Sequence, residues 1–546
     1  MKQTHTLRLL LAATVLAGAA VIPPAAAVEL PNKTLVYCSE GSPAGFDPGQ
    51  LTTGTDFDPA DAIYNRLVAF VPGETGTMPS LAEKWDISPD NKIYTFHLRK
   101  GVKFHTTEYF KPTRDFNAED VKFTFDRMGD REMPFRKAYP AEFPYYVDMG
   151  LQADIERIEI VDPYTVRFVL KKVDAPFIQN LAMSFASILS KEYADKLMAA
   201  NNPRDIALKP VGTGPFIFRS YTKDATLRMD GNKEYWNTNL PPKVGKLVFA
   251  ITTDANVRIQ KLKRNECQVV TYPRPADVDA LKADIQAQGK ASKIKMPDQV
   301  GFNLGYVAYN VKKAPLDRVE VRQALDMAIN KKAILQSVYG SAGQLSNGAP
   351  MPPTQWSYDK NIKSASYDPE KAKALLDKAG VKGIEITLWA MPVQRPYNPN
   401  GKLMAEMIQA DWAKIGVKAN IVTYEWGEYI KRAKAGEHDA MLIGWTGDNG
   451  DPDNWLGVLL GCDSMNGNNF SKWCYKPFDD LIKQARQTTD VKERTKLYTQ
   501  AQDIFAQQLP FSPIAHSTQY KPMATNVKGF KLSPFSRNSF AGVSLD

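Results

Sequence analysis

Short stretches in which hydrophobic and polar residues alternate recur along most of the chain, and longer stretches between them repeat an apolar position every three or four residues. The alternation over 94–98 and 165–170 predicts half-buried strands. The apolar positions within 319–338 follow one face of a helix and predict a helix there. The pattern predicts a globular chain of the mixed α/β class.

The stretch 367–453 carries the most informative pattern, because it alternates helices and strands whose ends are marked. Asp368 followed by Pro369 is typical of a helix N-cap and first turn, and Gly380 stands where a helix ends. The predicted strands cover 384–389, 417–423 and 440–445, and the predicted helices cover 370–379, 403–414 and 429–435. This βαβαβ order predicts three parallel strands, because strands joined by crossover helices run in the same direction.

Four side chains of distinct chemistry follow the ends of these predicted strands. Arg395 follows the first, Tyr424 and Trp426 follow the second, and Asp448 follows the third. Parallel strands end at one edge of their sheet, and open α/β sheets bind ligands outside that edge. We therefore expect a cation, two aromatic rings and an anion to meet at one rim.

Arg395 and Asp448 are complementary to the two ends of a free dipeptide, which carries an ammonium and a carboxylate. A guanidinium holds a carboxylate through two parallel hydrogen bonds, and a carboxylate accepts charge-assisted bonds from an ammonium. One further residue moves the ligand carboxylate by up to about 3.5 Å, so two fixed charges select ligand length rather than side-chain identity. The alternative is that both are surface ions, paired with each other or with neighbours, and that Trp426 is an ordinary core residue.

Motifs of other functions are absent from the sequence or incomplete. An EF-hand begun at Asp448 would place Leu459 where the bidentate glutamate belongs, so the acidic loop 448–453 is predicted to be a structural turn. The catalytic and phosphate-binding signatures G-x-S-x-G, H-E-x-x-H and G-x-x-x-x-G-K-[ST] do not occur. Lys and Arg are scattered rather than clustered, which argues against nucleic-acid binding. We expect no enzyme activity, no cofactor, no metal and no nucleic-acid partner. A secreted peptidase is the alternative from a different class.

The N-terminus has the three-part layout of a secretory signal: Lys2 and Arg8, an apolar run over 9–22, and small residues up to Ala27. The apolar run is shorter than the roughly 20 residues that cross a bilayer. Cleavage after Ala27 is predicted, and with it export to the periplasm. The 546-residue chain has a formal charge of +9, and removing the two cations of the signal leaves +7, which is modest for this size.

The chain has four cysteines, Cys38, Cys267, Cys462 and Cys474, an even number that suits an oxidising compartment. Three pairings are possible. Cys462 and Cys474 enclose a polar loop, so we favour a local bridge there and a second bridge between Cys38 and Cys267. Four buried thiols are the alternative, and the lack of a C-x-x-C pair argues against a zinc site.

Several segments resemble the large peptide-binding proteins of ABC importers, which form solute-binding protein family 5 of the peptide/nickel-binding type. The matching segments are LVYCSEGSP at 35–43, YTFHLRKGV at 94–102, VGTGPF at 211–216, VRQAL at 321–325, WAMPVQRPYNPN at 389–400 and GWTGDNGDPD at 444–453. They span almost the whole chain after the signal. The last two resemble the periplasmic dipeptide-binding branch in particular.

The resemblance implies an α/β fold of two lobes, the type II periplasmic-binding-protein clamp of the large peptide-binding class, with an extra inserted domain. The expected division gives 28–64, 210–295 and 511–546 to lobe I, 65–209 to the inserted domain, and 296–510 to lobe II. Two crossings between the lobes are expected to form a hinge that lets the clamp close on its ligand.

The resemblance also implies roles for individual residues. Asp448 matches the aspartate that holds the ligand ammonium, and Arg395 matches the arginine that holds the ligand carboxylate. The other residues expected near the cleft are Thr52, Thr53, Gly54, Trp426 and Tyr397. The same resemblance pairs Cys38 with Cys267 and Cys462 with Cys474.

The expected partners are dipeptides, an inner-membrane ABC permease and the ATPase subunits of that permease, with the protein acting as a monomer. Related proteins that carry haem, a nickel chelate or longer peptides are the alternatives within the family. Retention of Arg395 argues against long peptides, because a carboxylate clamp at a fixed distance rejects them.

Overall fold

Three β-sheets of four or more strands organise the part of the chain that the computed structural model describes, residues 29–546. The predicted signal peptide, residues 1–27, lies outside the described residues. Two of the sheets are mixed, since each combines parallel and antiparallel pairs, and the third is antiparallel throughout.

The seven-stranded sheet contains, in spatial order, Ile294–Lys295, Met523–Ala524, Val269–Val270, Thr34–Ser39, Lys246–Ile251, Thr226–Gly231 and Phe216–Thr222. The six-stranded sheet contains Gly343–Leu345, Phe511–Ser517, Asn303–Tyr309, Ala440–Thr446, Glu385–Trp389 and Lys418–Val422. The four-stranded sheet contains Ala82–Ile87, Ile93–Leu98, Thr165–Leu170 and Ile155–Asp162. Three two-stranded pairs join Val68–Phe70 to Thr77–Pro79, Asp298–Gln299 to Gln519–Tyr520, and Val527–Lys528 to Ser544–Leu545.

The α-helices pack around these sheets. Before residue 300 they are Gly54–Ile63, Ala118–Gly129, Pro134–Ala138, Pro144–Asp148, Leu151–Asp154, Phe177–Leu181, Lys191–Ala199, Ala255–Lys263 and Pro275–Gln288. After it they are Val319–Met327, Lys331–Ile334, Pro369–Lys378, Gly401–Ala413, Trp426–Lys434, Asp453–Leu460, Lys476–Arg486 and Val491–Gln508. None of the helices within residues 29–546 combines the length and the apolar character that crossing a membrane requires.

The predicted βαβαβ unit is confirmed. Glu385–Trp389 pairs in parallel with Lys418–Val422 on one side and with Ala440–Thr446 on the other. The side chain of Asp368 accepts a hydrogen bond from the Lys371 N–H at 2.9 Å, as its predicted N-cap role requires. All three strands of the unit therefore end at one edge of the six-stranded sheet.

The helix that carries Trp426 begins earlier than predicted. It spans Trp426–Lys434 rather than 429–435, because the Glu425 side chain accepts hydrogen bonds from the Gly427 and Glu428 N–H groups at 3.0 and 3.3 Å. This cap places Trp426 on the first turn of the helix, immediately after the second strand of the unit.

The single helix predicted over 319–338 is wrong. The chain forms Val319–Met327, breaks, and resumes as Lys331–Ile334 before a π-helical turn at Leu335–Tyr339. Asn330 causes the restart, since its side chain accepts a hydrogen bond from the Ala333 N–H at 3.1 Å and caps the second segment.

Helix Gly401–Ala413 shows how the six-stranded sheet is covered. Met404, Ile408 and Trp412 are buried as predicted, while Met407 is only half-buried. The Trp412 indole N–H donates to the Leu325 carbonyl at 3.0 Å, so its polar atom is satisfied inside the core. Burying a side chain of this kind stabilises the fold by about 2–3 kcal/mol.

The sheets bear on the expected domain division. The four-stranded sheet lies wholly within 65–209, and the seven-stranded sheet takes its strands from both sides of that segment. Strand Phe511–Ser517, however, pairs with Asn303–Tyr309, so it belongs to the sheet of the expected lobe II and not to lobe I. We therefore propose that lobe II extends through residue 517, with the other boundaries unchanged.

Both predicted cysteine pairs are formed. Cys38 and Cys267, with 5.8 Å between Cα atoms, connect strand Thr34–Ser39 to the segment just before Val269–Val270. Cys462 and Cys474, with 4.6 Å between Cα atoms, close the loop that follows helix Asp453–Leu460. Four free buried thiols, the alternative considered from the sequence, are thereby excluded.

Candidate ligand-binding site

A cavity lies at the carboxyl edge of the βαβαβ unit, and its walls come from distant parts of the chain. The predicted site residues that line it are Thr52, Thr53, Gly54, Arg395, Tyr397, Trp426 and Asp448. The predicted rim is thus largely correct, with one exception. Tyr424 does not line the cavity, because its ring packs against Trp389 at 4.8 Å and under the Arg432 guanidinium at 4.1 Å.

Arg395 sits on a tight turn, in which the Arg395 and Asn398 backbones exchange hydrogen bonds of 3.1 and 3.0 Å. The guanidinium Nη1 donates to Glu40 Oε1 at 2.5 Å and to the Gln394 carbonyl at 3.2 Å, and Nη2 donates to Thr55 Oγ1 at 2.8 Å. These bonds use three of the five N–H groups of an arginine, so within the described residues two N–H groups are left for a ligand carboxylate.

The Arg395 guanidinium is also held by aromatic rings. Its Cζ lies 5.2 Å from the Tyr272 ring centroid and 5.0 Å from the Trp426 ring centroid, and Trp426 stacks in turn on Tyr429 at 5.8 Å. Cation–π contacts of desolvated guanidinium groups are worth roughly 1–2 kcal/mol each. Trp426 is therefore buried, as expected of an ordinary core residue, but its ring packs against the Arg395 guanidinium that lines the cavity.

Arg395 remains protonated and positively charged although it is buried. Burial by itself lowers the pKa of a guanidinium, but Glu40 together with Tyr272 and Tyr397 outweighs burial and raises the pKa of Arg395 above its ordinary value. Conversely, burial raises the pKa of Glu40, but Arg395 and the Thr55 hydroxyl hold that pKa below its ordinary value. The two groups form a buried ion pair.

Asp448 follows strand Ala440–Thr446 by two residues and is held by three neighbours. Its backbone N–H donates to Asn454 Oδ1 at 2.8 Å, its Oδ2 accepts from the Tyr145 hydroxyl, and its Oδ1 accepts from Arg537 Nη2 at 3.4 Å. Burial raises the pKa of the Asp448 carboxyl, while Arg537 and Tyr145 oppose that rise without cancelling it. A carboxylate that accepts two bonds retains room for an ammonium donor.

The acidic loop around Asp448 is the structural turn that the sequence predicts. Asp451 Oδ1 accepts from the Asp453 N–H at 3.0 Å, which is the expected local backbone bond. Both carboxylates also form ion pairs that were not expected, Asp451 with Arg494 at 2.8 Å and Asp453 with Arg486 at 2.6 Å. These pairs hold the loop in place through two arginines that do not line the cavity.

Neither Arg395 nor Asp448 is a surface ion. Their exposed fractions are 5% and 8%, so the alternative of solvated surface ions is wrong for both. That alternative was right on one point, since each ion pairs with a neighbour, Arg395 with Glu40 and Asp448 with Arg537.

Thr52, Thr53 and Gly54 bring a helix N-terminus to the cavity. Thr53 is the N-cap of helix Gly54–Ile63, and its hydroxyl donates to Asp56 Oδ2 at 2.5 Å. The Lys434 ammonium lies 3.5 Å from Thr52 Oγ1. Thr52, Thr53 and Gly54 belong to the expected lobe I, so this loop forms the cavity wall on that side.

Tyr397 reaches the cavity because two glycines leave space beneath it. Gly305 and Gly444 face each other in neighbouring strands of the six-stranded sheet. A Cβ atom on Gly305 would overlap the Tyr397 carbonyl, and one on Gly444 would overlap the Tyr397 ring. The Tyr339 hydroxyl then fixes the turn by donating to the Tyr397 carbonyl at 2.6 Å.

Several residues of the site are missing from the sequence prediction. They are Glu40, Tyr145, Tyr272, Phe535 and Arg537, of which Glu40 supports Arg395 and the other four line the cavity. Glu40 lies within a segment that carries the family resemblance, but no pattern around it indicates a buried counter-ion. Its separation from Arg395 is 355 residues, far beyond the reach of any local pattern.

The fold and the site together define a class of protein, the bacterial solute-binding clamp, and the chain belongs to the bacterial extracellular solute-binding proteins, family 5. The middle region of that family matches residues 76–467. The α/β two-lobed clamp predicted from the sequence is confirmed, since a peptide-binding protein of this fold superimposes with a TM-score of 0.90.

That protein is a dipeptide-binding protein from a Pseudoalteromonas species, whose crystal structure contains Met-Leu. It is 40% identical, and the match covers 94% of this chain and all of that one (100%). The chain is also 63% identical to Di/tripeptide-binding protein 1 of Pseudomonas aeruginosa, with 97% of each chain covered. Heme-binding protein A of Haemophilus influenzae is 46% identical, over 94% of this chain and 93% of that protein.

Proposed function

We propose that the chain binds dipeptides in this cavity, with the ligand ammonium on Asp448 and the ligand carboxylate on Arg395. The observation that carries the proposal is that both side chains line one cavity from the ends of two strands that are neighbours in the sheet. Each side chain is buried, and each has bonding capacity to spare. Relatives of high identity that are named for dipeptides and tripeptides support the same ligand class.

The charges of the cavity suit a zwitterion. Glu40 neutralises Arg395 and Arg537 neutralises Asp448, so the four ionic groups sum to zero. A ligand with one positive and one negative end adds no net charge to a closed, water-poor space, whereas a ligand with a single charge leaves one buried charge uncompensated. A dipeptide with both termini free therefore fits better than a blocked one.

Family membership and the N-terminus support a wider role in import. The protein captures its ligand after export to the periplasm and delivers it to an inner-membrane ABC permease driven by ATPase subunits, without catalysing a reaction. The predicted signal over 1–27 supports export. A ligand shifts the equilibrium between the open and closed forms only by its preference for the closed form. Release is therefore expected to need the transporter.

Substitution of Asp448 tests the ligand assignment. Asp448→Asn removes the counter-charge of the ligand ammonium in a desolvated site, so dialanine affinity should fall by about 2–5 kcal/mol, measured by titration calorimetry. The same substitution should change the affinity of N-acetyl-dialanine far less, because that ligand has no ammonium.

A matched control is Asp480→Asn, which neutralises an exposed carboxylate on helix Lys476–Arg486. It should leave both affinities unchanged. Equal losses for dialanine and N-acetyl-dialanine in Asp448→Asn would contradict the assignment, and so would no loss at all. Release of free alanine by the wild-type protein, detected by mass spectrometry, would favour the peptidase alternative instead.

Haem is a second candidate ligand, because a relative with 46% identity is named for haem binding. Adding haemin to the purified protein distinguishes the two. Dipeptide binding at this site predicts that haemin neither shifts its Soret band on addition of protein nor displaces dialanine.

A further inference from the structure

Lys521 lies where the two expected lobes are joined, and its ammonium is buried. The connections between the lobes run side by side as the paired strands Asp298–Gln299 and Gln519–Tyr520, and the Lys521 N–H donates to the Pro297 carbonyl at 3.0 Å. The side chain is only 7% exposed, and within residues 29–546 its Nζ makes one hydrogen bond, to Thr271 Oγ1 at 3.3 Å. The charge of such an ammonium reaches its surroundings with little screening by water and salt.

One aromatic ring connects this ammonium with the cation of the ligand cavity. Lys521 Nζ lies 5.5 Å from the Tyr272 ring centroid, and Arg395 Cζ lies 5.2 Å from the same centroid. The sum of these distances limits the separation of the two charges to about 11 Å, within the range at which buried charges interact. Tyr272 and Arg395 line the ligand cavity, whereas Lys521 does not. Lys521 can therefore act on a ligand only through space or through these two residues.

Tyr272 is held in an unusual backbone conformation beside the cavity. Its φ of +45° lies in the left-handed region, which residues with a side chain rarely adopt. The buried Arg258 guanidinium donates to the Tyr272 and Thr271 carbonyls, both at 3.0 Å, and to Gln394 Oε1 at 2.8 Å. A conformation of this kind persists only where surrounding contacts impose it, and it commonly accompanies a functional site. The ring is therefore fixed relative to both cations.

The ionisation of Lys521 changes at a pH only slightly above neutrality. Burial lowers the pKa of Lys521 to about 8, with Arg258 adding to that effect and the Asp58 and Glu40 carboxylates opposing it. Asp58 titrates at a lower pH, since burial raises its pKa to about 7 although Lys521 opposes the rise. The pKa of Glu40 is lowered. As the pH rises through about 8, the change of charge in this group is therefore the loss of the Lys521 proton.

We propose that Lys521 determines the preference of the site for ligands with a free carboxylate, through the electrostatic field of its buried ammonium and without touching the ligand. This inference rests on the proposed function, since it uses the placement of the ligand carboxylate on Arg395. A unit charge on the order of 10 Å from an anion changes the affinity for that anion about tenfold at an effective dielectric constant near 20. A ligand whose carboxylate is blocked as an amide has no charge at that end and gains nothing from Lys521.

The test compares dialanine with dialanine amide on the wild-type protein and on Lys521→Met, by titration calorimetry at neutral pH. Both ligands have an α-ammonium, so the ratio of their affinities reports the carboxylate end alone. Lys521→Met keeps the apolar stem of the side chain and should lower the ratio about tenfold by weakening dialanine binding, with little change for the amide. In the wild type the ratio should fall as the pH is raised through about 8, because Lys521 loses its charge there.

Lys521→Arg is the conservative variant, because a guanidinium keeps its charge over this pH range and Lys521 adjoins a free space of about 40 Å³. It should retain the wild-type ratio at neutral pH and hold that ratio as the pH is raised. Lys528→Met is the matched control, since it neutralises an exposed lysine of the same C-terminal segment, and it should behave as the wild type.

An unchanged ratio in Lys521→Met would overturn the role of Lys521. Equal losses for both ligands in that variant would also overturn it, because they would mark a purely structural effect. If Lys521→Met does not fold, the comparison of wild type with Lys521→Arg decides, and the same dependence of the ratio on pH in both would overturn the inference. Failure of the wild-type protein to bind dialanine would instead overturn the proposed function itself.

Discussion

At the scale of single residues, the two ions proposed to hold the ligand each have a resident counter-ion of opposite charge. Arg395 pairs with Glu40 and Asp448 pairs with Arg537, and all four side chains are buried. An unpaired charge in such a place costs several kcal/mol, and the two pairs avoid that cost. The two carboxyl groups in these pairs respond differently to pH, because the pKa of Glu40 is lowered and the pKa of Asp448 is raised.

The affinity for dialanine should therefore fall as the pH drops through the raised pKa of Asp448. The fall should occur at a higher pH than it would if Asp448 had the pKa of an ordinary aspartate. The sign follows because the ligand ammonium binds the carboxylate form, and protonation of Asp448 removes that form. Calorimetric titrations at a series of pH values measure the fall. Asp448→Asn should bind weakly with little dependence on pH in the same window, and a wild-type affinity that stays constant there would contradict the role of Asp448.

At the scale of elements, the turn that presents Arg395 and Tyr397 depends on the sheet beneath it. Gly305 and Gly444 are paired across strands Asn303–Tyr309 and Ala440–Thr446, and together they leave the groove into which the Tyr397 turn settles. Gly305 adjoins a register shift against strand Phe511–Ser517, but neither glycine has a positive φ. Both are needed because backbone and ring approach closely there.

Gly444→Ala should destabilise the protein by about 1–3 kcal/mol and weaken dialanine binding, because the new methyl group overlaps the Tyr397 ring and displaces the turn. Urea unfolding and calorimetry measure the two effects. Gly76→Ala is the control, since a Cβ at that exposed glycine meets nothing within 4 Å. In the Tyr397→Ala background the stability cost of Gly444→Ala should shrink, and a fully additive double variant would show that the overlap is not the cause.

At the scale of the whole molecule, the expected inserted domain is tied to the expected lobe II by a contact between Asp148, which does not line the ligand cavity, and Asn468, which does. The Asp148 carboxylate, at the end of helix Pro144–Asp148, accepts hydrogen bonds from the Asn468 N–H and Nδ2 at 3.1 and 2.9 Å. The Asp148 carbonyl accepts from Arg486 Nη2 at 3.0 Å. Asn468 lies in the loop closed by Cys462 and Cys474, so the disulfide holds one half of this contact in place.

Asp148→Ala should lower the affinity for dialanine about tenfold although Asp148 itself does not line the cavity, because it removes a contact that joins the two parts and holds Asn468, which does line it. X-ray scattering should show a larger radius of gyration for the ligand-free variant than for the wild type. Asp195→Ala removes an exposed carboxylate of the same expected domain and should change neither quantity. An Asp148 variant with unaltered affinity and scattering would rule out this contribution to closure.

The local parts of the fold could be predicted from the sequence. The parallel unit, its caps at Asp368 and its glycine terminators depend on residues within a few positions of one another, and such patterns survive in any tertiary context. The predicted rim followed from the same pattern, because strand order alone brings Arg395, Trp426 and Asp448 to one edge. The prediction failed where two local tendencies competed, as at Asn330, whose capping side chain divides an apolar period into two helices.

The sequence by itself determined the α/β class, the parallel unit and the two ionic side chains at its carboxyl edge, because periodicity and capping act over short distances along the chain. Only the tertiary structure decided which groups surround those ions. Glu40 and Arg537 reach Arg395 and Asp448 across separations of 355 and 89 residues, and Phe535 lines the same cavity from the C-terminal segment. Contacts of this kind arise from the packing of whole elements, and no pattern in the neighbouring residues records them.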